Sequence, residues 1–294
     1  MTKQIDAQII GAFGRQYLAE TSDGHILTCL TRGKKSEAAC GDWVKLQLTA
    51  EDQGVIESIS PRSALLFRSD AYKQKLIAAN VNQLILVVAP EPTFSDELLS
   101  RSLIAAHQQN LDTLIVLNKC DLKEKLDTAR KQLATFRNIG YPVLELTATS
   151  DASPLLPWLT GKTSILIGQS GMGKSTLINK LIPEAQVRTR EISTALNTGK
   201  HTTTHARLYH LNSDTHLIDC PGLQMFGLYH LNTSEVEQGF REFAPYLGHC
   251  RFNNCRHLHE PDCAVRQAVE SGKIDPRRLA LFQQICNELQ FEKY

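Results

Sequence analysis

The residues best suited to chemistry in this chain form a glycine-rich segment near its middle. The stretch GQSGMGKS, residues 168–175, lies between an apolar run and a helical pattern and has the form Gly-x-x-x-x-Gly-Lys-Ser. Glycines let backbone N–H groups turn inward around phosphate oxygens, and the helix start adds the positive end of its dipole. Lys174 would reach the terminal phosphates and Ser175 would bind Mg²⁺, which predicts a nucleoside triphosphate site. The residues expected around the phosphates are Gly168, Gln169, Ser170, Gly171, Met172, Gly173, Lys174, Ser175 and Thr176.

A second segment, NKCD at residues 118–121, predicts the base of that nucleotide. It directly follows the apolar run DTLIVL, which places it on a loop at the end of a strand. The Asp121 carboxylate can accept hydrogen bonds from both N1–H and the amino group of guanine, whereas adenine offers no such pair of donors. Two charge-assisted bonds of about 1.5 to 3 kcal/mol each are enough for strong discrimination. The residues expected around guanine are Asn118, Lys119, Cys120, Asp121, Thr147 and Ala148.

Two further loops would respond to the γ-phosphate. Asp219 and Gly222 enclose the stretch DCPG, whose Asp would hold Mg²⁺ through water and whose Gly N–H would sense the γ-phosphate. The stretch GKHTTTH contains three threonines, and we expect one of them, Thr203 in our assignment, to bind Mg²⁺. Together these loops predict a GTPase that needs Mg²⁺ with GTP.

The residue that orients the attacking water is not evident. Ras-like enzymes have a Gln after the Gly of this loop, but this chain has Leu223. His201 is the nearest polar substitute, so we assign the catalytic roles to His201 and Lys174. A plain loop histidine is an equally good interpretation of His201. Slow hydrolysis in the absence of a partner follows from the missing Gln.

These motifs occur in an unusual order, because the guanine segment precedes the phosphate segment along the chain. In a parallel sheet, however, the position of a loop depends on where its strand lies and not on its order in sequence. The order therefore predicts a circularly permuted nucleotide-binding domain.

The segment GHCRFNNCRHLHEPDCAV, residues 248–265, concentrates metal-binding side chains. The three cysteines Cys250, Cys255 and Cys263 with one histidine would fill a tetrahedral zinc shell and leave no open position, so we expect one structural zinc ion. The sequence alone leaves the choice of histidine open among three candidates, His249, His257 and His259.

The whole chain predicts a multidomain α/β protein. Five short alternating stretches in residues 1–62 indicate a β-barrel of the oligonucleotide-binding (OB) type, with Arg32, Lys34 and Lys35 in a basic loop that either binds nucleic acid or is simply solvated. Residues 63–233 alternate apolar strands with helices, as a doubly wound P-loop domain does. Residues 234–294 are helical and contain the zinc site.

The composition of the chain indicates where in the cell the protein works. The net charge is +1, and the longest apolar runs are too short to span a membrane. Eight cysteines without a signal peptide indicate reduced thiols or metal binding, so we expect a cytoplasmic protein that does not associate with membranes.

These motifs, together with RGKK and CGDWV in the barrel, resemble the circularly permuted GTPases of small ribosomal subunit biogenesis, the RsgA (YjeQ) family. The resemblance covers nearly the whole chain. It implies an N-terminal OB barrel, a permuted GTPase core and a C-terminal zinc domain in which His257 is the histidine ligand. It also implies contact with the small subunit and its rRNA, and hydrolysis that the subunit stimulates. We expect a monomer that binds GTP and GDP. A GTP-dependent binding switch and a P-loop kinase are the alternatives, and the guanine loop argues against the kinase.

Overall fold

The N-terminal part of the protein is a closed barrel, and it is described here from a computed structural model that covers residues 4–32, 38–69, 74–183, 206–220 and 226–291. The strands pair in the order β1-β2-β3-β5-β4, and β4 pairs back with β1 to close the barrel. Ile9, Tyr17, Leu27 and Leu46 fill the interior. The strands are β1 (Gln4–Phe13), β2 (Gln16–Thr21), β3 (Ile26–Thr31), β4 (Trp43–Ala50) and β5 (Gln53–Ile59).

A hairpin of β6 (Leu65–Ser69) and β7 (Gln74–Ala79) follows the barrel and was not predicted from the sequence. One strand forms a parallel bridge from Ser69 to Leu228, and the other a bridge from Ala78 to Cys40. The hairpin therefore joins the barrel to the segment that leads into the C-terminal helices.

The central sheet follows the predicted alternation of strands and helices. Its order is β10-β9-β8-β11-β13-β12, with the first five strands parallel and β12 antiparallel to β13. Its strands are β8 (Gln83–Val88), β9 (Asp112–Leu117), β10 (Val143–Glu145), β11 (Thr163–Ile167), β12 (Arg207–His210) and β13 (His216–Asp219). Its helices are α1 (Asp96–Gln108), α2 (Lys123–Asn138), α3 (Leu156–Leu159) after a 3-10 turn (Ser153–Leu155), and α4 (Lys174–Leu181).

Barrel and central sheet are continuous. Gly11 on β1 pairs with Arg207 on β12, and the Ala12 N–H donates to the Ala206 carbonyl at 3.3 Å. This pairing therefore links the barrel to the strand at the edge of the central sheet.

The C-terminal segment is helical and packs on the central domain. Its elements are α5 (Thr233–Gln238), a 3-10 helix (Arg241–Tyr246), α6 (Ala264–Glu270) and α7 (Pro276–Phe291). Phe240, Phe243 and Phe282 are fully buried and belong to the same apolar core as β8, β9 and β11. Among the described residues, no helix is long and apolar enough to cross a membrane. The predicted fold class is thus confirmed: a closed five-stranded barrel, a P-loop sheet and a helical Cys/His segment.

Candidate nucleotide site and metal cluster

The phosphate loop lies between β11 and α4, and β11 is a central strand flanked by β8 and β13. At Gly168 a Cβ atom would lie 2.3 Å from the Val87 carbonyl oxygen, so a side chain cannot fit there. The Lys174 ammonium donates to the carbonyls of Gly168 at 2.6 Å and Gln169 at 3.0 Å. Burial lowers the pKa of Lys174, while the nearby charge of Asp219 opposes that shift. The loop thus holds a buried amine at the start of a helix, where phosphate oxygens would be stabilised.

Asn118 fastens the guanine loop to the phosphate loop. Its side chain is 2% exposed, and its Nδ2 donates to the Met172 carbonyl at 2.9 Å. Its Oδ1 accepts a hydrogen bond from the Ala148 N–H, also at 2.9 Å. A single buried amide therefore connects three segments that were predicted to bind the same nucleotide.

Gly173 is required by this connection. Its φ of +94° lies in the left-handed region, and a Cβ atom there would lie 2.2 Å from Asn118 Nδ2. Both the backbone conformation and the close approach exclude a side chain at this position.

The rest of the guanine loop lies at the carboxyl end of β9. Lys119 has a φ of +60° and its Nζ donates to the Glu91 carbonyl at 2.9 Å, which braces the loop against the turn after β8. The Asp121 side chain is exposed, and no described residue donates a hydrogen bond to its carboxylate. Cys120 is half-buried with its thiol directed to the Leu117 carbonyl, and Thr147 forms a bridge with Asp151 beside Ala148. The carboxylate is thus free to accept the donors of a base.

Asp219 ends β13 beside the phosphate loop. Its Oδ1 is buried and has no hydrogen-bond partner in the described structure. Burial raises the pKa of Asp219, and the charge of Lys174 partly offsets this effect. An unpartnered buried carboxylate oxygen at the end of β13, together with the exposed Ser175 at the start of α4, fits a hydrated Mg²⁺, which prefers oxygen ligands and keeps several waters.

Several predicted residues lie outside the described residues: His201, Thr203, Gly222, Leu223, Lys34 and Lys35. The described part of the nucleotide site therefore consists of the phosphate loop, the guanine loop and Asp219.

The structure brings Cys250, Cys255, His257 and Cys263 together, with all four ligand atoms within 4.8 Å of one another. The His257 Nδ1 lies 3.7, 3.6 and 3.1 Å from the Sγ atoms of Cys250, Cys255 and Cys263. Ideal tetrahedral zinc, with bonds of about 2.3 Å to sulfur and 2.0 Å to nitrogen, would separate these atoms by about 3.5 Å. The cluster could therefore hold a metal ion. His249 and His259 are exposed and do not belong to the cluster.

Glu237 supports this cluster and was not predicted from the sequence. Its Oε1 lies 2.5 Å from His257 Nε2, and Gln283 Nε2 donates to the His257 carbonyl at 2.6 Å. Metal-binding histidines commonly donate their second N–H to a carboxylate, which fixes the ring and strengthens its basicity. Nothing local marks Glu237, since it is one of two acids in α5 and lies 20 residues before its partner.

The cysteines outside the cluster are free and mostly buried, as expected for ordinary small residues. Cys29, Cys40, Cys220 and Cys286 are buried, and Cys120 is intermediate. Burial raises the pKa of Cys29 and of Cys286 to about 12, so neither thiol is reactive at neutral pH.

Known proteins resemble this chain closely. Residues 59–229 match the family described as RsgA GTPase. The "Small ribosomal subunit biogenesis GTPase RsgA" of Nitrosospira multiformis is 53% identical over 282 residues, covering 96% of this chain and 90% of the relative. The protein of the same name from Burkholderia pseudomallei is 52% identical over 291 residues, covering 97% and 93%.

Two solved structures share the fold over nearly their whole length. YjeQ from Thermotoga maritima has a TM-score of 0.72 at 27% identity and covers 98% of this chain and 99% of its own. YloQ, described as a circularly permuted GTPase, has a TM-score of 0.70 at 26% identity, with 99% and 97% covered.

Proposed function

This chain belongs to the RsgA family of GTPases, and from that premise we propose that it hydrolyses GTP to GDP and phosphate while assisting late maturation of the small ribosomal subunit. The relatives that carry this name span almost the same length as the chain. GTP and GDP, the small subunit and its rRNA are the proposed partners. We further propose that the protein acts as a cytoplasmic monomer.

The hydrogen bonds of Asn118 are the observation that supports this proposal most strongly. They join the phosphate loop, the guanine loop and Ala148 at one edge of the sheet, where ligands of parallel sheets bind. A nucleotide lying across this edge would place its phosphates around Lys174 and its base beside Asp121. A P-loop kinase for a small molecule would not need the second loop.

In the proposed reaction the phosphate loop stabilises charge on the transferred phosphoryl group. The Lys174 ammonium has three N–H donors, so it would add a hydrogen bond to a phosphate oxygen, a stronger acceptor than a carbonyl, while the carbonyls of Gly168 and Gln169 hold it in place. Ser175 and Asp219 would hold Mg²⁺, which neutralises charge on the β- and γ-phosphates. The protein's own part is positioning and electrostatics, as in other phosphoryl-transfer enzymes.

Orientation of the attacking water is proposed for His201, since Leu223 stands where Ras-like enzymes have Gln. Thr203 and Gly222 would complete the site. A site that lacks its Gln is slow alone, and completion by a partner is worth roughly 10³ to 10⁵ in rate. The small subunit is the proposed partner that completes it.

The metal of the Cys/His cluster is proposed to be one structural zinc ion. Three thiolates and one imidazole suit zinc and leave no open coordination position for a substrate. The cluster would then serve folding rather than chemistry.

The barrel is proposed to contact rRNA through its basic loop, with Arg32, Lys34 and Lys35 on phosphates. Arg32 is exposed and forms an ion pair of 2.7 Å with Glu57. Binding to the subunit should weaken as salt rises, because phosphate contacts release counterions.

The decisive experiment measures GTP turnover with and without purified small subunits. We expect the parent to be slow alone and strongly stimulated, Lys174→Ala to be inactive in both conditions, and His201→Ala to bind nucleotide but lose most of the stimulated rate. A parent rate indifferent to subunits would reject the ribosomal role and favour a GTP-dependent switch for another protein. Full stimulation of His201→Ala would reject only the role of the histidine.

A further inference from the structure

The phosphate loop is tied to a helix outside the nucleotide motifs. Gln169, the second residue of the loop, accepts a hydrogen bond through its side-chain Oε1 from the Ser95 N–H at 3.0 Å. Ser95 is the N-cap of α1, and its own hydroxyl accepts from the Leu98 N–H at 3.2 Å. The side chain of Gln169 thus ends on the first turn of α1, about 70 residues earlier in the chain.

Helix α1 is a firm attachment point because the C-terminal segment is fixed along one of its faces. Arg101 is 2% exposed and pairs with both Glu97 and Glu288, which lies on α7. Arg278, also on α7, donates to the Ser100 hydroxyl. These contacts recur at helical spacing, so they hold one side of the helix.

The same face continues towards the end of α1. A Cβ atom at Gly239 would lie 2.8 Å from Ile104 Cγ1, which shows how closely the C-terminal segment approaches. Gln108 Nε2 donates to the Glu235 carbonyl at 2.9 Å. From its first turn to its last, α1 is therefore fixed against the segment that contains the metal cluster.

The main chain of Gln169 performs a different task from its side chain. Its carbonyl oxygen accepts a hydrogen bond from the Lys174 ammonium at 3.0 Å, together with the carbonyl of Gly168. Pro92 lies close to another residue of the loop, since a Cβ atom added at Gly171 would lie 3.3 Å from its Cδ. Gln169 is thus held by α1 at its side chain and holds the lysine at its carbonyl.

The geometry points to Gln169 as a positioning residue that ties the phosphate loop to α1 and so fixes where Lys174 stands for the terminal phosphate. This inference rests on the proposed GTPase function and adds a specific part to it. The contact is with Ser95 and not with the nucleotide, so Gln169 acts through the lysine. Loss of the contact should affect GTP more than GDP, because the lysine reaches the β- and γ-phosphates and GDP lacks the latter.

Replacement of Gln169 by Met tests this role, since Met keeps the length of the side chain but cannot accept the hydrogen bond from Ser95. Affinities for a non-hydrolysable GTP analogue and for GDP would be measured with Mg²⁺ by titration of fluorescent nucleotides. We expect Gln169→Met to bind the GTP analogue about 3- to 10-fold more weakly, as loss of one hydrogen bond implies. The preference for GTP over GDP should fall with it.

Gln132→Met is the matched control. Gln132 on α2 donates to the Asp96 carboxylate at 2.6 Å, so the same substitution removes a contact to the start of α1 without touching the phosphate loop. It should leave both affinities within about twofold of the parent, a difference of less than about 0.4 kcal/mol. Thermal unfolding of both variants would show that neither has lost its fold.

Three results would overturn the inference. One is a Gln169→Met variant with the parent's affinity for the GTP analogue. Another is an equal loss for GTP and GDP, which a merely structural role would give. The third is a Gln132→Met variant that changes as much as Gln169→Met. If the parent itself binds neither nucleotide, the proposed GTPase function fails and this inference fails with it.

Discussion

The close approach of Asn118 to Gly173 joins the guanine loop and the phosphate loop, two motifs that begin 50 residues apart, into one site. Each motif was predicted from its own residues, because a Gly-rich loop before a helix and an Asn-Lys-x-Asp after a strand have distinctive chemistry. Their contact follows from the sheet order, which the sequence only implied. Glu237 could not be predicted at all, since a carboxylate that supports a histidine 20 residues away has no local pattern.

At this residue scale, Gly173→Ala should impair nucleotide binding without unfolding the protein. The new Cβ meets Asn118 and sits at a φ of +94°. Strain of this kind costs about 1 to 3 kcal/mol, which corresponds to a loss of about 5- to 150-fold in affinity. Titration with a fluorescent GTP analogue would measure it.

Gly140→Ala is the control for backbone strain alone. Gly140 has nearly the same φ, +93°, but nothing lies within 4 Å of its Cβ position. This variant should lose some stability and keep the parent's affinity. Equal affinities for the two variants would contradict the role assigned to the contact with Asn118.

The elements of the central sheet were predicted well, and the hairpin was missed, for one physical reason. Strands β8, β9 and β11 are buried on both faces and read as apolar runs, as parallel strands do. Strand β6 has no regular alternation, and its bridge partner Leu228 lies far along the chain. A strand that is buried on both faces leaves a long apolar run in the sequence, whereas β6 is short and only partly buried, so its sequence does not mark it as a strand.

The start of α7 shows how an element is held by charge. Asp275 accepts hydrogen bonds from the Arg277 guanidinium and from the Thr135 hydroxyl of α2 at 2.8 Å. The hydrogen bonds from Arg277 lower the pKa of Asp275 to about 2, although burial of the carboxyl group acts in the opposite direction. The carboxylate therefore stabilises the docking of α7 on α2 only while it is ionised.

Asp275→Asn should accordingly destabilise the protein in a pH-dependent way. Since the folded pKa lies below the unfolded value, the parent's advantage is complete above about pH 4 and is lost as the pH falls towards 2. Asn can keep the helix-capping hydrogen bond from the Arg277 N–H to Oδ1, but it removes the charge together with Oδ2, which accepts from Thr135 and from the Arg277 guanidinium. Urea unfolding between pH 2 and 7 would measure the advantage.

The ion pair of Lys162 with the exposed Asp112 provides the control for this prediction. Asp112→Asn should change the free energy of unfolding by less than about 1 kcal/mol at any pH, as exposed ion pairs do. If the parent's extra free energy of unfolding over Asp275→Asn did not decline as the pH falls, the stabilising role of the ionised Asp275 would be contradicted.

The described part of the molecule has two hydrophobic cores of different size. The barrel has its own interior, but a single apolar core extends from β8 through α1 to α7 and Cys263. The predicted boundary at residue 233 marks a change of motif, although the packing continues across it. If the Cys/His cluster holds the proposed metal, its removal should therefore destabilise the central domain as well as the C-terminal helices.

Glu237→Gln tests whether the Cys/His cluster and the central domain share one cooperative core. Replacing a carboxylate that holds a metal-binding histidine typically lowers metal affinity about 10- to 100-fold. Competition with a chelator should show that loss, and thermal unfolding after metal removal should show one transition at a lower temperature. A separate low-temperature transition of the C-terminal helices would contradict the shared core.

Glu235→Gln, two residues away on the same helix, makes the same change of charge. Its side chain accepts the Asn232 N–H in a capping box, and Gln serves in that motif as well as Glu. Metal affinity and unfolding should match those of the parent.

The pairing of Gly11 with Arg207 also protects the protein against aggregation through the edges of its sheet. Strand β12 would otherwise be an open edge of the central sheet, and open edges are templates for aggregation. The barrel pairs with the start of β12, at Ala206 and Arg207, and β4 pairs back with β1, so the barrel itself is closed. Among the described strands of this eleven-stranded sheet, β10 is left as the outer edge. It has three residues and ends in Glu145, which is paired with Arg130 and Arg137, so the sheet offers another chain little to extend.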